Sequence, residues 1–444
     1  MATFRERRFD EIVAKLRGRK LYWVGPRGTD SRPLLEFDSF SAVFSLVAPI
    51  GSSRSITEVC LELSTGHRVN LDTYDIDSDF SDEGKSFRRQ VRGAFREPCA
   101  VVPYRPLRML STIQFTSPGL VRLLGLFHER QAPFEHKPWV ESELRGLGIP
   151  VIPWTYYSAE EPERILEALI RKPLVVRLSR SFGGSGLTLI DSSQELAPIL
   201  KGSADGFVAA APFITPSVPL NVGACVFENG RVTLHPPSVQ LIGISGCTKL
   251  TFGYCGNDFT AVSSVDRRII NELGAHTQTI GSWLAHMGFR GAFGVDAIVS
   301  GDRLFISELN PRFQGSSELS AQIDASLDRP DVYQDHIAAF VGMSPWDQAP
   351  LADLRSSGPG LSQVIYHNVT KGAVRLEPPP SARPRTSAEV TLTPSSDIRV
   401  EMGAILFKVV FPGQVTDDGH SLRAPVLQTV AEIAPRATEP LQTV

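Results

Sequence analysis

The chain of 444 residues has little of what marks a metal or disulfide scaffold. Its five cysteines, Cys60, Cys99, Cys225, Cys247 and Cys255, are an odd set without a CxxC pair. That fits neither a disulfide framework nor a structural zinc site, and reduced, packed thiols are the expectation. The nine histidines are scattered with no HExxH spacing, which argues against the zinc hydrolases built on that motif. Neither sign of charge is in excess: the formal net charge of -3 gives nucleic acid nothing to attract. No stretch approaches the roughly 20 apolar residues of a membrane span. The opening MATFRERRFDEIVAKLRGRK is charged throughout and lacks the apolar core of a secretory signal. These absences predict a cytoplasmic chain with no membrane and no nucleic-acid partner; a homo-oligomer is left open.

What is present is a length that calls for two or three packed domains with room for a cleft. Residues 1–135 mix short apolar runs (20–24, 42–50 and 99–103) with Gly, Ser and Pro, which suggests an α/β domain. Gly25-Pro26-Arg27-Gly28 is too loose for a phosphate loop and reads as a turn. Residues 137–147 read as a helix stopped by Gly148-Ile149-Pro150. Residues 161–170 repeat apolar positions at helical spacing; 173–178 is a short β-branched run, followed by a glycine loop and a second strand at 187–190. Ile269, Ile270, Leu273, Ile280, Leu284 and Met287 form the apolar stripe of a long helix. Strands 291–299 and 304–309 follow it, joined at Gly301-Asp302. After about residue 345 comes a proline-rich break at 377–385 and then strand-like segments. The expected division is 1–135, 136–345 and a small β-rich C-terminal domain or lid over 346–444.

Two places carry chemistry. The loop Ser181-Phe182-Gly183-Gly184-Ser185-Gly186 joins two strands, so it is no Walker loop. Its exposed N–H groups can still fold over a phosphate chain, and Arg177 and Arg180 flank it; an ordinary hairpin is the plain alternative. The second place is the hairpin 291–310, which sets Asp296, Glu308 and Asn310 on strands that otherwise need apolar residues. A three-residue turn makes the two carboxylates diagonal neighbours on one face, about 7–8 Å apart, whereas a two-residue turn puts them on opposite faces. Carboxylates with an amide oxygen suit Mg²⁺, which leaves its remaining positions to phosphate and water. Arg312 stands ready for a phosphoryl group or a carboxylate. A solvated acidic edge is the competing reading.

Taken in order, these residues resemble the ATP-grasp superfamily. Lys137 ahead of Gly148-Ile149-Pro150 looks like the family's first phosphate-binding lysine with its helix. Arg177, with Arg180, Gly183, Gly184, Ser185 and Gly186, is similar to the strand-borne second lysine and the glycine lid, with arginine where lysine is usual. Residues 207–214 (FVAAAPFI) resemble the adenine hinge, with Ala211 in place of the usual acid. The resemblance implies that Ala211 C=O accepts from the adenine amino group and Ile214 N–H donates to the ring, with Phe213 between them. Gly294-Val-Asp296 and the string from Glu308 through Asn310-Pro-Arg312 to Gly315-Ser316 look like the metal-binding Asp, Glu and Asn with the catalytic arginine.

The fold so implied is α/β (α+β): an ATP-grasp domain with an N-terminal α/β domain and a small C-terminal β-rich one. The activity implied uses ATP and Mg²⁺. A carboxylate is phosphorylated, and an amine then displaces phosphate from the acyl phosphate. A small-molecule acid or amino acid would be the acyl donor and an amino acid or peptide the acceptor. The family's biotin carboxylases follow their arginine with Gln-Val-Glu-His, whereas Phe313-Gln314-Gly315-Ser316 stands here. Length, layout and the arginine variant are similar to the pheganomycin-type peptide ligases of antibiotic biosynthesis. The competing readings are a nucleotide-responsive binding protein without turnover, or another ATP-grasp activity such as a carboxylase or a kinase.

Overall fold

The computed structural model describes residues 3–52, 54–169, 173–178, 184, 186–203, 206–355, 357–376 and 388–433. Near the N-terminus lies a five-stranded parallel sheet in the order Thr57–Cys60, Phe40–Val47, Lys20–Arg27, Cys99–Pro103, Val121–Leu123. Side chains alternate across a strand. On Lys20–Arg27, Leu21 and Trp23 accordingly enter one apolar cluster with Ile12 and Leu16 of helix Phe4–Leu16, while Tyr22 and Val24 enter another. That second cluster holds Phe87 and Val91 of helix Asp82–Ala94 and Met109, Leu110 and Ile113 of helix Arg108–Thr116. Helices thus cover both faces, as a parallel sheet requires. The carboxyl ends of its central strands, at Arg27 and Pro103, point to the cavity described below, the usual ligand edge of an open α/β sheet.

A four-stranded antiparallel sheet follows, in the order Thr155–Ser158, Phe207–Pro212, Leu174–Arg177, Leu187–Ile190. One face packs Val176, Val208 and Ala210 on Ile165 of helix Pro162–Leu169. The other presents Val175, Ala209 and Ala211 to Ile298 and Phe305 of the third sheet. Between these two surfaces lies the cleft.

The third sheet is nine-stranded and antiparallel: Arg303–Asn310, Gly291–Ser300, Val218–Val226, Ser238–Ile242, Tyr254–Asp258, Leu361–His367, Ile405–Pro412 and Glu389–Thr391, with Val232–Leu234 beside Val218–Val226. It continues without a break past residue 345, so the C-terminal strands extend the sheet that carries the acidic hairpin. Helix Arg267–His286, capped by Asp266 on Arg268 N–H at 2.7 Å, buries Ile269, Ile270, Leu273, Ile280 and Leu284. Met287, expected in this stripe, falls at the helix end and is 44% exposed, because the chain turns away at Gly288. All five cysteines are buried and free. No described helix is long and apolar enough to cross a membrane.

Candidate active site

The hairpin turns through two residues, since Ser300 pairs with Arg303. On the sequence reading such a turn would set Asp296 and Glu308 on opposite faces. The structure departs from that arithmetic by a β-bulge: Ala297 pairs with Ile306, but Asp296 pairs with Glu308, leaving Ser307 as the extra residue. A bulge of one residue reverses the facing of everything beyond it. The two carboxylates therefore end directly opposite each other, with Asn310 opposite Gly294 on the same side. Gly294 is required there, because a Cβ would lie 1.8 Å from the amide carbon of Gln314.

Gln314 is thereby free to lie over the strand and donate to Asp296 Oδ1 at 3.2 Å. Asn221, paired with Asp296 across the neighbouring strand, donates to the same oxygen at 2.6 Å, and Asn310 donates to Oδ2 at 2.9 Å. Despite these amides, burial and then the charge of Glu308 push the Asp296 carboxyl up to about 6. Burial, the largest single effect, acts on Glu308 in the same sense, but Lys137, which donates to Glu308 Oε1, together with the charges of Arg312 and Arg177 outweighs it and holds that carboxyl below its usual range. Two facing carboxylates with such opposed environments are a donor set short of positive charge, and they fit a hard divalent cation. Among the described residues no group of three or more His, Cys, Asp or Glu side chains is placed to hold a metal. This pair with Asn310 would be completed by oxygens from a ligand.

Lys137 opens helix Lys137–Gly146, and Glu141 lies one turn on, on the same face. Glu141 accepts from Arg177 Nη1 at 2.6 Å and from the Tyr156 hydroxyl. The Arg177 guanidinium lies 4.2 Å over the Trp154 ring. Among the described residues its Nε and Nη2 are buried without a partner, while the residue lines the cavity. Buried unpaired donors carry a desolvation cost, and two on one cation mark a place for an anion. Arg312 gives Nη1 to Phe313 O and Nη2 to Asn310 Oδ1, each at 3.1 Å, with its guanidinium 5.9 Å from the Tyr104 ring centre.

The hinge corrects one assignment. Phe213 N–H donates to Pro173 O at 3.2 Å, and Gly206 O accepts from Ala159 N–H at 2.8 Å. Alternate residues of a strand turn their backbone groups to the same edge. Ala211 therefore faces its partner Val175, and its C=O belongs to the ladder rather than to a ligand. The even-numbered residues face Thr155–Ser158, whose pairing ends at Thr155 with Ala210. Continuing the register brings up Pro153, which has no N–H to give. Where the resemblance expects the acceptor at Ala211, the carbonyl left off that ladder is Pro212 C=O, with Ile214 N–H two residues on; both residues line the cavity.

A cavity of about 370 Å³ joins these groups, lined by Lys137, Arg177, Gly184, Ala211, Pro212, Phe213, Ile214, Asp296, Glu308, Asn310 and Arg312. Gly184 has φ +82° and packs so closely on Phe252 that a Cβ would meet its carbonyl oxygen at 2.1 Å. Gly186 is not in the wall; its C=O accepts from Leu178 N–H at the base of the loop. Arg180, Gly183 and Ser185 lie outside the described residues. Arg27, Tyr104, Asn221 and Gln314 also line the cavity and were not singled out from the sequence. Gln314 lies inside the string from Glu308 to Ser316, whereas Arg27 follows Gly25-Pro26 in what reads as a turn. On strand Tyr254–Asp258, Tyr254 and Asn257 line the cavity. Asp258 does not: it caps Thr260 and Ala261 and accepts from Val415 N–H at 2.6 Å and Thr416 N–H at 3.1 Å.

Residues 135–316 match the family model described as an ATP-grasp domain. The formate-dependent phosphoribosylglycinamide formyltransferase of Mycolicibacterium gilvum is 23% identical over 300 residues, 66% of this chain and 68% of that protein. Biotin carboxylase from Campylobacter jejuni, solved as a β,γ-ATP complex, superposes with a TM-score of 0.61 at 14% identity, covering 94% of this chain and 92% of that one. The biotin carboxylase domain of Hydrogenobacter thermophilus 2-oxoglutarate carboxylase, with MgADP, ADP and bicarbonate, gives 0.61 at 12% identity over 94% and 90%. At these identities the structural likeness is one of fold, and the fold is ATP-grasp.

Proposed function

We propose that this chain, which carries an ATP-grasp domain at residues 135–316, is an ATP-dependent ligase that activates a carboxylic acid as its acyl phosphate and joins it to an amine. The carrying observation is the convergence, in one cavity, of facing carboxylates Asp296 and Glu308 with Lys137, Arg177 and Arg312. Adenine would sit at the hinge, its amino group donating to Pro212 C=O and its ring accepting from Ile214 N–H. Lys137, the Nε–H and Nη2–H of Arg177, which have no partner among the described residues, and Gly184 would hold the phosphate chain. Asp296, Glu308 and Asn310 would hold Mg²⁺, which when bound offsets the repulsion between the incoming carboxylate and the triphosphate.

Arg312 approaches the reacting acid with neutral partners only, a carbonyl and an amide oxygen. Its charge is available to the carboxylate as it attacks the γ-phosphorus and to the acyl phosphate as the amine displaces phosphate. In this reading residues 136–345 form the catalytic unit between an N-terminal α/β domain, 1–135, and the C-terminal β-rich segment, 346–444. The finer assignment is amide formation between an acid and the amine of an amino acid or peptide, as in peptide natural products. Its support is the Phe313-Gln314-Gly315-Ser316 sequence in place of Gln-Val-Glu-His, with Gln314 donating to Asp296. The test is release of ADP and phosphate with Mg²⁺ and a panel of acids and amines. ADP release that needs both an acid and an amine, with an amide product, is expected; ATP turnover independent of either would overturn the reading.

A further inference from the structure

The cavity does not end at the catalytic groups. Past Arg312 and Tyr104 it enters the N-terminal sheet, where its walls are Phe44, Leu46, Leu71, Ile76, Phe87 and Leu107. These come from the second strand, helix Asp82–Ala94 and the loops at residues 71–76 and 107, and they belong to or pack on one apolar cluster. Polar groups share this part of the wall: Arg27, whose Nε–H goes to both oxygens of Asp30 at 2.9 Å, together with Asp72, Tyr104 and Arg105. Tyr74 also lines the compartment, but its hydroxyl is taken by Asp79. A ligand that fills this space must be charged at one end and apolar along its body.

We infer that the acid activated here carries an apolar body, aromatic or branched aliphatic. Its carboxylate lies at Arg312 and its body in the compartment between the second strand and helix Asp82–Ala94. This rests on the ligase reading above. It also sets the chain apart from a relative whose name specifies formate, an acid with no body to bury. Each methylene moved from water into such walls should raise kcat/KM by roughly fourfold.

The acid is identified by trapping, without knowledge of the natural amine. Carboxylate oxygen attacks the γ-phosphorus and ADP leaves; hydroxylamine nitrogen then attacks the acyl carbon, phosphate leaves and a proton is released, giving a hydroxamic acid. The full chain with ATP, Mg²⁺ and hydroxylamine is assayed on formate, acetate, hexanoate, phenylacetate and 3-phenylpropanoate. The expected order puts the apolar-bodied acids at least tenfold above acetate, with formate lowest. Leu71→Trp, which fills the compartment, should lower 3-phenylpropanoate tenfold or more while acetate and ATP binding stay within threefold. If that variant does not fold, the order on the unaltered chain decides alone. Formate or acetate equal to the larger acids, or a Leu71→Trp loss shared by every acid, overturns the inference. ATP binding with no hydroxamate from any acid overturns it and leaves the ligase reading standing. Failure to bind ATP at all removes both.

Discussion

Arg177 stands where the resemblance to ATP-grasp proteins expects a lysine, and replacing it with lysine separates its two roles. Among the described residues the guanidinium makes one contact to Glu141 at 2.6 Å, lies 4.2 Å over Trp154, and keeps Nε and Nη2 buried without partners. Lysine can keep the charge and the Glu141 contact, but loses the stacking and the planar pair of donors. In the free protein the lost stacking costs about 1 kcal/mol. Removing two buried unpaired donors relieves about 1–3 kcal/mol each. The free-protein stability of Arg177→Lys should therefore stay within about 1 kcal/mol of the parent or rise. With ATP the balance reverses: two charge-assisted hydrogen bonds at about 1.5 kcal/mol each are lost and one is partly regained. A net loss of about 1.5–3 kcal/mol corresponds to a Kd for ATP raised roughly 10- to 100-fold. The assay is ATP titration by calorimetry beside urea unfolding without nucleotide. Unchanged ATP affinity would refute the placement of those donors against phosphate. A free-protein loss of about 3 kcal/mol or more would make Arg177 a structural strut.

Glu308→Gln removes charge without volume, and ligation should fall by about 10² or more with the fold intact by circular dichroism; near-normal turnover at ordinary Mg²⁺ would contradict the metal assignment. Ile214→Pro deletes the hinge donor and should weaken ATP binding by roughly 1–3 kcal/mol, while Ala211→Gly, whose C=O stays in the ladder, should leave affinity within threefold. Arg312→Ala should keep ATP affinity within a few fold and lower kcat by about 10²; weaker ATP binding with kcat retained at saturation would make it a ground-state clamp. His336 accepts from Ala292 N–H at 3.0 Å, and burial lowers its pKa from 6.5 to about 4. The unfolded chain thus binds the proton first: this stability is complete above pH 6.5 and lost as pH falls towards 4, roughly 3 kcal/mol in all. A urea series in which His336→Gln keeps the parent's slope across that window would refute it.

The order of the elements was legible because periodicity and punctuation are local. Helix Lys137–Gly146 stops at the glycine and proline that mark it, and Asp296, Glu308 and Asn310 stand out as polar residues on otherwise apolar strands. Register was not legible. A bulge leaves no mark in composition, so counting across the Gly301-Asp302 turn sends Asp296 and Glu308 to opposite faces. Only pairing along both strands shows that Ser307 restores them. The facing of the hinge carbonyls was hidden for a similar reason, since whether Ala211 or Pro212 turns its carbonyl off the ladder depends on which neighbour ends first, and Thr155–Ser158 is some fifty residues away in sequence. Arg27 looked like part of a turn because Gly25 and Pro26 precede it. In the parallel sheet those residues finish a strand, whose end is where the ligand edge lies.

The charges of the site suggest why it holds together before anything binds. Lys137 is neutralised by Glu308 and Arg177 by Glu141, while Asp296 rests on three amide donors and Arg312 on neutral oxygens. No buried ion is left bare in this arrangement, which matters because an unpaired one costs several kcal/mol. In the proposed reading the triphosphate competes with Glu308 for Lys137. Drawing the lysine away strands Glu308 opposite Asp296, two carboxylates whose mutual repulsion already shows in the raised pKa of Asp296. A divalent cation arriving with the phosphate chain removes that repulsion, and one arriving alone must first displace Lys137. Nucleotide and metal therefore favour each other's binding through one ion pair, and by linkage the advantage is equal in both directions.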